Sequence, residues 1–364
     1  MGKWKKTCAY LISAFMLGSG LLISTPEVQA ATTLVGQWSF NEGNGKVTKE
    51  QVSQTNDTIN YVFNQAVYKP STDPEWRNDG ISGKALLFDG YSTWVTHPAI
   101  TTPQSQISIE AWVAPRAYEW GDGNKLEAIV NQQNKDAKQG FILGIDRHGT
   151  WSFQFGSNNN WYEVWSFEPL PKYEWSYLTA TYDSQTGKMV LYVNGKQVSS
   201  NMAPVHSLLT PASTDLLIGK NNQSTNLGVF PLNMFNGLID EIKVSNGTLS
   251  PIEVENAYNA YMAALGGNLP TPDLKFDRSV YNGDTYRPTY HAIAPQHWQN
   301  EPHAPLFFNG QYHLFYQFNQ HGPYWHNMHW GHWVSTDMVH WRDLPPALSP
   351  GLFQVDPDGD CFTM

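Results

Sequence analysis

The sequence predicts an all-β protein, a β-sandwich followed by a second, four-stranded unit. Three observations carry that prediction. From Leu34 to about Leu265, short runs of alternating apolar and polar residues are broken by glycine and asparagine turns, as strands with one buried face require. Asn-Gly pairs at 194–195 and 309–310 separate such runs, and that dipeptide favours a tight type I′ hairpin. Only Pro251–Ala264 reads as a helix, with Ser250 placed to cap it and Pro251 at its first position.

Residues 1–30 have the form of a secretory signal. Lys3, Lys5 and Lys6 precede an apolar run from about Ala9 to Ile23, and Val28-Gln29-Ala30 offers cleavage after Ala30. An uncleaved anchor is the alternative, but the run is short for one. The expected location is therefore extracellular, with no membrane association after cleavage. Cys8 leaves with the signal, so Cys361 is the only mature cysteine and no intrachain disulfide can form. Losing Lys3, Lys5, Lys6 and Glu27 takes the formal charge from −10 to −12. An acidic chain without a basic stripe is unsuited to nucleic acid. A neutral polysaccharide suits it, and the 14% aromatic content supplies faces for sugar rings, although most must fill β cores.

Within residues 31–265 the clearest strands are Lys84–Phe88, Ile107–Val113, Gly140–Ile145, Trp151–Phe155, Tyr177–Tyr182 and Met189–Val193. Gly83-Lys84-Ala85-Leu86, Phe88-Asp89-Gly90, Ile109-Glu110-Ala111-Trp112-Val113, Leu191-Tyr192-Val193-Asn194-Gly195 and Phe235-Asn236-Gly237-Leu238-Ile239-Asp240-Glu241 together resemble LamG-like, concanavalin A-type jelly rolls. The resemblance implies the fold and leaves the ligand open. Similar sandwiches serve as carbohydrate-binding modules, which makes Trp94, Tyr118, Trp120, Trp161 and Trp165 candidates for stacking on sugars, each with a plain structural role as the alternative. Such domains often hold a structural calcium. Asp240, with Asp89 behind it, is the acid to test, but spacing does not assemble the six or more oxygens that calcium needs. Residues 266–285 carry glycine, proline and polar residues without a period and read as a linker.

From Tyr286 the alternation resumes, with strands expected at about Pro305–Phe308, Gln311–Phe318, Met328–Ser335 and Trp341–Leu348. Ahead of them, Pro302 and Pro305 hold Trp298-Gln299-Asn300-Glu301 in what reads as a rigid turn entering a sheet. Turn chemistry alone allows Glu301 to be merely solvated. Nine of the twelve histidines fall between His291 and His340. His326, His329 and His332 recur every three residues, which on a strand alternates faces and argues against a shared metal.

Trp-Gln-Asn-Glu-Pro-His-Ala (298–304) resembles the Trp-Met-Asn-Asp-Pro-Asn-Gly signature of glycoside hydrolase family 32, the invertases, inulinases and levanases. Tyr312–Gln317, Tyr324-Trp325, His329–His332, Val339-His340-Trp341 and Asp358–Thr363 resemble the family's following motifs in order. The resemblance implies the first blade of a five-bladed β-propeller over residues 286–364, and retaining hydrolysis through two carboxylates about 5–5.5 Å apart. By position it implies Glu301 as nucleophile. Trp298 and Asn300 flank it, Gln317 binds sugar, Trp325 forms an aromatic wall, and Phe362 and Thr363 match a Phe-Ser pair. No cofactor is implied for catalysis. Glu in place of Asp at 301, with His303-Ala304 in place of Asn-Gly, is more similar to the fructanotransferase and endo-acting branch.

The family's acid lies in a Glu-Cys motif and its transition-state stabiliser in Arg-Asp-Pro. Glu301 is the last glutamate here, and Arg342-Asp343 is followed by Leu344. The expectation is a secreted fructan-active enzyme, truncated and inactive alone. The alternative is a fructan-binding protein carrying a vestigial enzyme segment. Since a propeller protects its edges by closing its ring, a single blade is expected to be a weakly ordered tail on a stable sandwich.

Overall fold

The structure, a computed structural model, describes residues 32–61, 74–118, 123–228, 230–275, 283 and 285–349. The segment read as a secretory signal, Trp120, Phe362 and Thr363 lie outside the described residues. The fold is all-β, as expected: a jelly-roll sandwich followed by one propeller-type blade. Its strands in chain order are β1 (Thr33–Trp38), β2 (Val47–Lys49), β3 (Asn56–Tyr61), β4 (Glu75–Gly80), β5 (Gly83–Asp89), β6 (Thr93–His97), β7 (Gln106–Ala117), β8 (Glu127–Asn134) and β9 (Gln139–Ile145). There follow β10 (Trp151–Ser157), β11 (Asn160–Trp165), β12 (Ser176–Asp183), β13 (Lys188–Val193), β14 (Lys196–Met202), β15 (Leu216–Ile218), β16 (Asn226–Leu227), β17 (Phe230–Pro231) and β18 (Asn236–Asn246). Helix α1 (Pro251–Ala264) then leads to β19 (Trp298–Phe308), β20 (Gln311–Asn319), β21 (His329–Ser335) and β22 (Arg342–Leu348).

Two antiparallel sheets face each other. One runs β14-β13-β12-β7-β18-β5-β4, with β1 also on β18; the other runs β11-β10-β9-β8-β15-β6-β3-β2. Alternate residues of both meet in a core that fully buries Trp38, Phe88, Trp151, Phe153, Phe155, Tyr182 and Phe235. Each such ring contributes about 1.5–3 kcal/mol through the apolar area it removes from water. The Asn194-Gly195 turn is left-handed at both residues (φ 51° and 80°), the geometry the dipeptide predicts.

Strand β18 changes partner midway. Asn236–Ile239 pair with β5 and Ile242–Asn246 with β1, and a bulge lies between Asp240 and Lys243 with Glu241 at φ 49°.

Helix α1 has the predicted cap. Ser250 and Glu253 form a reciprocal capping box, with Pro251 in the first turn. Its aromatic side lies on the outer face of the first sheet, where the Tyr258 ring stacks on Trp112 at 6.0 Å and on Tyr177 at 6.3 Å. The first ten residues of the stretch read as a linker continue along that face. Leu274 is buried in the same cluster, and Arg77 Nε donates to the Asp273 carbonyl at 3.1 Å.

Strands β19–β22 form a four-stranded antiparallel meander, one blade. Its apolar face buries Tyr316, Phe318 and Trp333, with Tyr316 and Trp333 stacked at 3.6 Å and nearly parallel. The blade leans on the sandwich through Tyr91, Leu232 and Tyr324, against which Phe230 packs. Tyr91 Oη lies 3.2 Å from His297 Nε2. One expectation is corrected here. Trp298–Ala304 is not a turn before the sheet but the start of edge strand β19. The prolines do not end it, because the ladder breaks around them, between Gln299 and Pro302 and between His303 and Leu306.

Candidate active-site face

The two faces of the blade divide the chemistry. In β20, Tyr316 and Phe318 point to the core, so His313, Phe315 and Gln317 point to the other side. Register sets His303 opposite Phe315 and Trp298 opposite Asn319, on that same open side. In the break between Gln299 and Pro302, Asn300 turns its amide inward and donates from Nδ2 to Gln317 Oε1 at 3.2 Å. Gln317 is buried. Beside this pair the Glu301 side chain stays 54% exposed, its Oε1 3.6 Å from His303 Nε2. That distance is beyond a hydrogen bond and gives an ion pair only when the imidazole is protonated.

A row of rings continues from there. Phe315 stacks on His332 at 4.5 Å, and His313 Nδ1 lies 2.9 Å from His332 Nε2. Burial lowers the pKa of His332, and neighbouring His313 lowers it further. Trp325 is 42% exposed and meets His326 edge-on at 4.5 Å. Trp298 is half-buried, and its amide donates to the Gly322 carbonyl at 3.4 Å. The face thus offers a solvated carboxylate, a fixed amide pair and flat rings: a nucleophile, hydroxyl partners and stacking surfaces.

His303, His313, Phe315 and His332 were read in the sequence only within motifs and spacings, not as neighbours on one face. The signal was present in His313-x-Phe315-x-Gln317, which the Asn309-Gly310 hairpin places on one side.

The other two acids of residues 286–349 are engaged elsewhere. Asp337 accepts from Ser335, Val339 and His340 in its own turn, and Asp343 accepts from the Tyr316 hydroxyl at 3.3 Å. Among the described residues, no group of three or more His, Cys, Asp or Glu is arranged to hold a metal.

In the sandwich, Asp240 and Asp89 anchor turns. Asp240 Oδ2 accepts from Ile81 N at 2.8 Å and Ser82 N at 3.2 Å, and Oδ1 from Glu241 N at 2.8 Å. Asp89 accepts from the amides of Tyr91, Ser92 and Thr93. Asp89 faces Asn236, four residues along β18 from Asp240, so the two are about 13 Å apart at ~3.3 Å per residue and share no ion. The stacking candidates do not converge either. Trp94 is on β6 and Trp161 and Trp165 are on β11, five strands away, about 24 Å at ~4.8 Å per strand. Lys220 Nζ sits 4.1 Å over the Trp94 ring. Tyr118 packs on the core with its hydroxyl on the Leu170 carbonyl. Trp165 donates to Glu163 at 2.9 Å and Trp161 to Gln154 at 2.8 Å.

Comparison with known proteins finds matches to two stretches of the chain. Residues 89–255 match the concanavalin A-like lectin/glucanases superfamily, and residues 291–363 match the glycosyl hydrolases family 32 N-terminal domain. Beta-fructofuranosidase, insoluble isoenzyme CWINV4, of Arabidopsis thaliana is 51% identical over 65 residues, 18% of this chain and 11% of that protein. The fructan 6-exohydrolase of Triticum aestivum is 47% identical over 38 residues, 10% and 6% respectively. The chain therefore spans about a tenth or less of the length of these relatives. Among solved structures, domain 4 of AbnA, a GH43 extracellular arabinanase from Geobacillus stearothermophilus in complex with arabinotriose, aligns at TM-score 0.45 and 22% identity, over 62% of this chain and 98% of that one. A likeness at that level speaks to neither ligand nor activity. Two stretches of the chain are thus similar to known families, residues 89–255 to the concanavalin A-like lectin/glucanases superfamily and residues 291–363 to the glycosyl hydrolases family 32 N-terminal domain.

Proposed function

We propose that this chain carries the nucleophile-bearing first blade of a secreted, fructan-active, retaining glycoside hydrolase. The observation that carries the reading is the Asn300–Gln317 amide pair beside the half-exposed Glu301 carboxylate, on an open face. In such a reaction the carboxylate attacks the anomeric carbon of a fructosyl unit while the bond to the leaving oxygen breaks and that oxygen receives a proton. The fructosyl ester then passes to water or to another sugar. Asn300 and Gln317 hold ring hydroxyls, and Trp298 and Trp325 border the subsite. Phe362 and Thr363 belong to the same proposed subsite.

The proton must come from a second carboxylate about 5–5.5 Å away. Among the described residues of the blade, Asp337 and Asp343 are committed to other partners. The chain by itself is therefore expected to release no fructose from inulin, levan or sucrose, as read by a fructose assay at micromolar protein. It is still expected to contact 1-kestose in saturation-transfer NMR, with the signal lost in Gln317→Ala. Fructose release would overturn the single-carboxylate reading. Contact indifferent to both Gln317→Ala and Glu301→Gln would overturn the subsite.

A further inference from the structure

The outward face of the second sheet carries a cleft of about 380 Å³ whose floor is built of amides. Its floor comes from β8, β9 and β10 through Gln133, Ile142 and Gln154; its rims are the loops holding Leu126, Lys135 and Gln223. Outward positions of a sheet are ordinarily wet, yet Gln133 and Gln154 are each only 2% exposed here. Their orientations are fixed by a chain of bonds. Asn221 Nδ2 donates to the Leu126 carbonyl at 2.9 Å, so Asn221 Oδ1 is the atom that accepts from Gln133 Nε2 at 2.9 Å and from Gln223 N at 2.8 Å. That leaves Gln133 Oε1 as a buried acceptor with no donor among the described residues.

The chemistry of the missing donor can be narrowed. Buried polar atoms in folded proteins are ordinarily paired, so an orphan acceptor at a cleft floor marks a place for a hydroxyl or N–H. A carboxylate or phosphate brings no donor. A cation is repelled by Lys125, Lys135 and Lys138, which line the same cleft. The positive charge is itself partly spent. Lys135 Nζ lies 3.5 Å from Glu163 Oε1, and Asp136, also in the lining, accepts from Gln223 at 2.7 Å. Leu126 and Ile142, packed with Trp161, add an apolar strip beside the amides. Amides for hydroxyls next to an apolar strip for C–H faces, in a volume within the range of small-molecule sites, suit a neutral sugar.

We propose that this cleft binds a neutral oligosaccharide, with Gln133 Oε1 accepting from a ring hydroxyl. It is a second carbohydrate site, independent of Glu301. Native gels of the full chain cast with inulin, levan, arabinan or galactan test it, with polygalacturonate as the anionic counterpart, followed by calorimetry with oligosaccharides of the retarding polymer. The expected result is retardation by at least one neutral polymer, weakened at least tenfold in Gln133→Leu. Gln223→Ala, at the half-buried rim, is expected to weaken it severalfold and keeps the test readable if Gln133→Leu does not fold. Three outcomes overturn the proposal: no retardation by any of the four neutral polymers, retardation by polygalacturonate alone, or binding untouched by both cleft variants.

Discussion

Asp240 shows how much one side chain can organise. It sits where β18 exchanges β5 for β1, and its two oxygens receive the amides of Ile81, Ser82 and Glu241. Burial raises its pKa well above the ordinary carboxylate range, and adjacent Glu241 raises it further, against the lowering pull of those amides. Asp240→Ala leaves three backbone donors without an acceptor and is expected to cost about 2–4 kcal/mol in urea melts. Asp240→Asn keeps an oxygen for Ile81 and Ser82 but sets an amide against the Glu241 N–H, and should cost roughly half as much. Its importance was visible in the Ile-Asp-Glu turn, but not the reason. Sequence marks a buried acid and cannot show that three main-chain amides donate to it. Glu301 is the opposite case: its candidacy was legible in the ordered motifs, whereas its half-exposed state depends on a ladder break that sequence does not display.

At the level of single elements, hairpins were the most legible feature. Asn309-Gly310 forms the expected left-handed pair (φ 47° and 77°) and fixes the register that brings Phe315 opposite His303. A Cβ on Gly310 would meet nothing within 4 Å, so Gly310→Ala carries only the conformational cost, about 1 kcal/mol. Gly331 differs. Its Cβ would fall 2.1 Å from the Tyr316 ring, itself stacked between that strand and the blade core. Gly331→Ala must displace the Tyr316–Trp333 stack and is expected to destabilise the blade by more than about 2 kcal/mol, with loss of its near-ultraviolet circular dichroism. Edge strand β19 was less legible, because proline normally signals the end of a strand. Here Pro305 lies in one break and Pro302 borders the other, which an edge tolerates, and the strand carries the candidate nucleophile within that other break.

For the whole molecule, the expected contrast between a firm sandwich and a loose tail meets a specific interface. His297, against Tyr91, is held at a pKa of about 4 by burial, partly offset by its bond to the Gln320 carbonyl, with Arg116 lowering it and Glu75 raising it. His321 is lowered too, chiefly by burial, then by Arg116, His329 and His297. Both folded values lie below the imidazole's ordinary 6.5, so the undocked or unfolded form takes up protons first as pH falls. Docking strength should be full above about pH 6.5 and decline toward pH 4. Amide exchange over residues 297–322 should quicken across that window before the β7–β12 pairing does. The strands named from alternation, Ile107–Val113 and Gln311–Phe318 among them, do form, apart from the unread start of β19. That the blade would rest on the sandwich was not readable, because Tyr91 and Tyr324 are separated by more than two hundred residues and neither stands out locally.

The meshing of Tyr91, Phe230 and Leu232 with Tyr324 has a practical corollary for anyone dissecting the gene. A product ending near residue 265 would retain its hydrophobic interior yet present a freshly bared, greasy aromatic spot to the solvent. Such a product should be soluble only when dilute and should self-associate on gel filtration. Swapping Phe230 for serine should restore monomers, revealing that the second module doubles as a lid for the first.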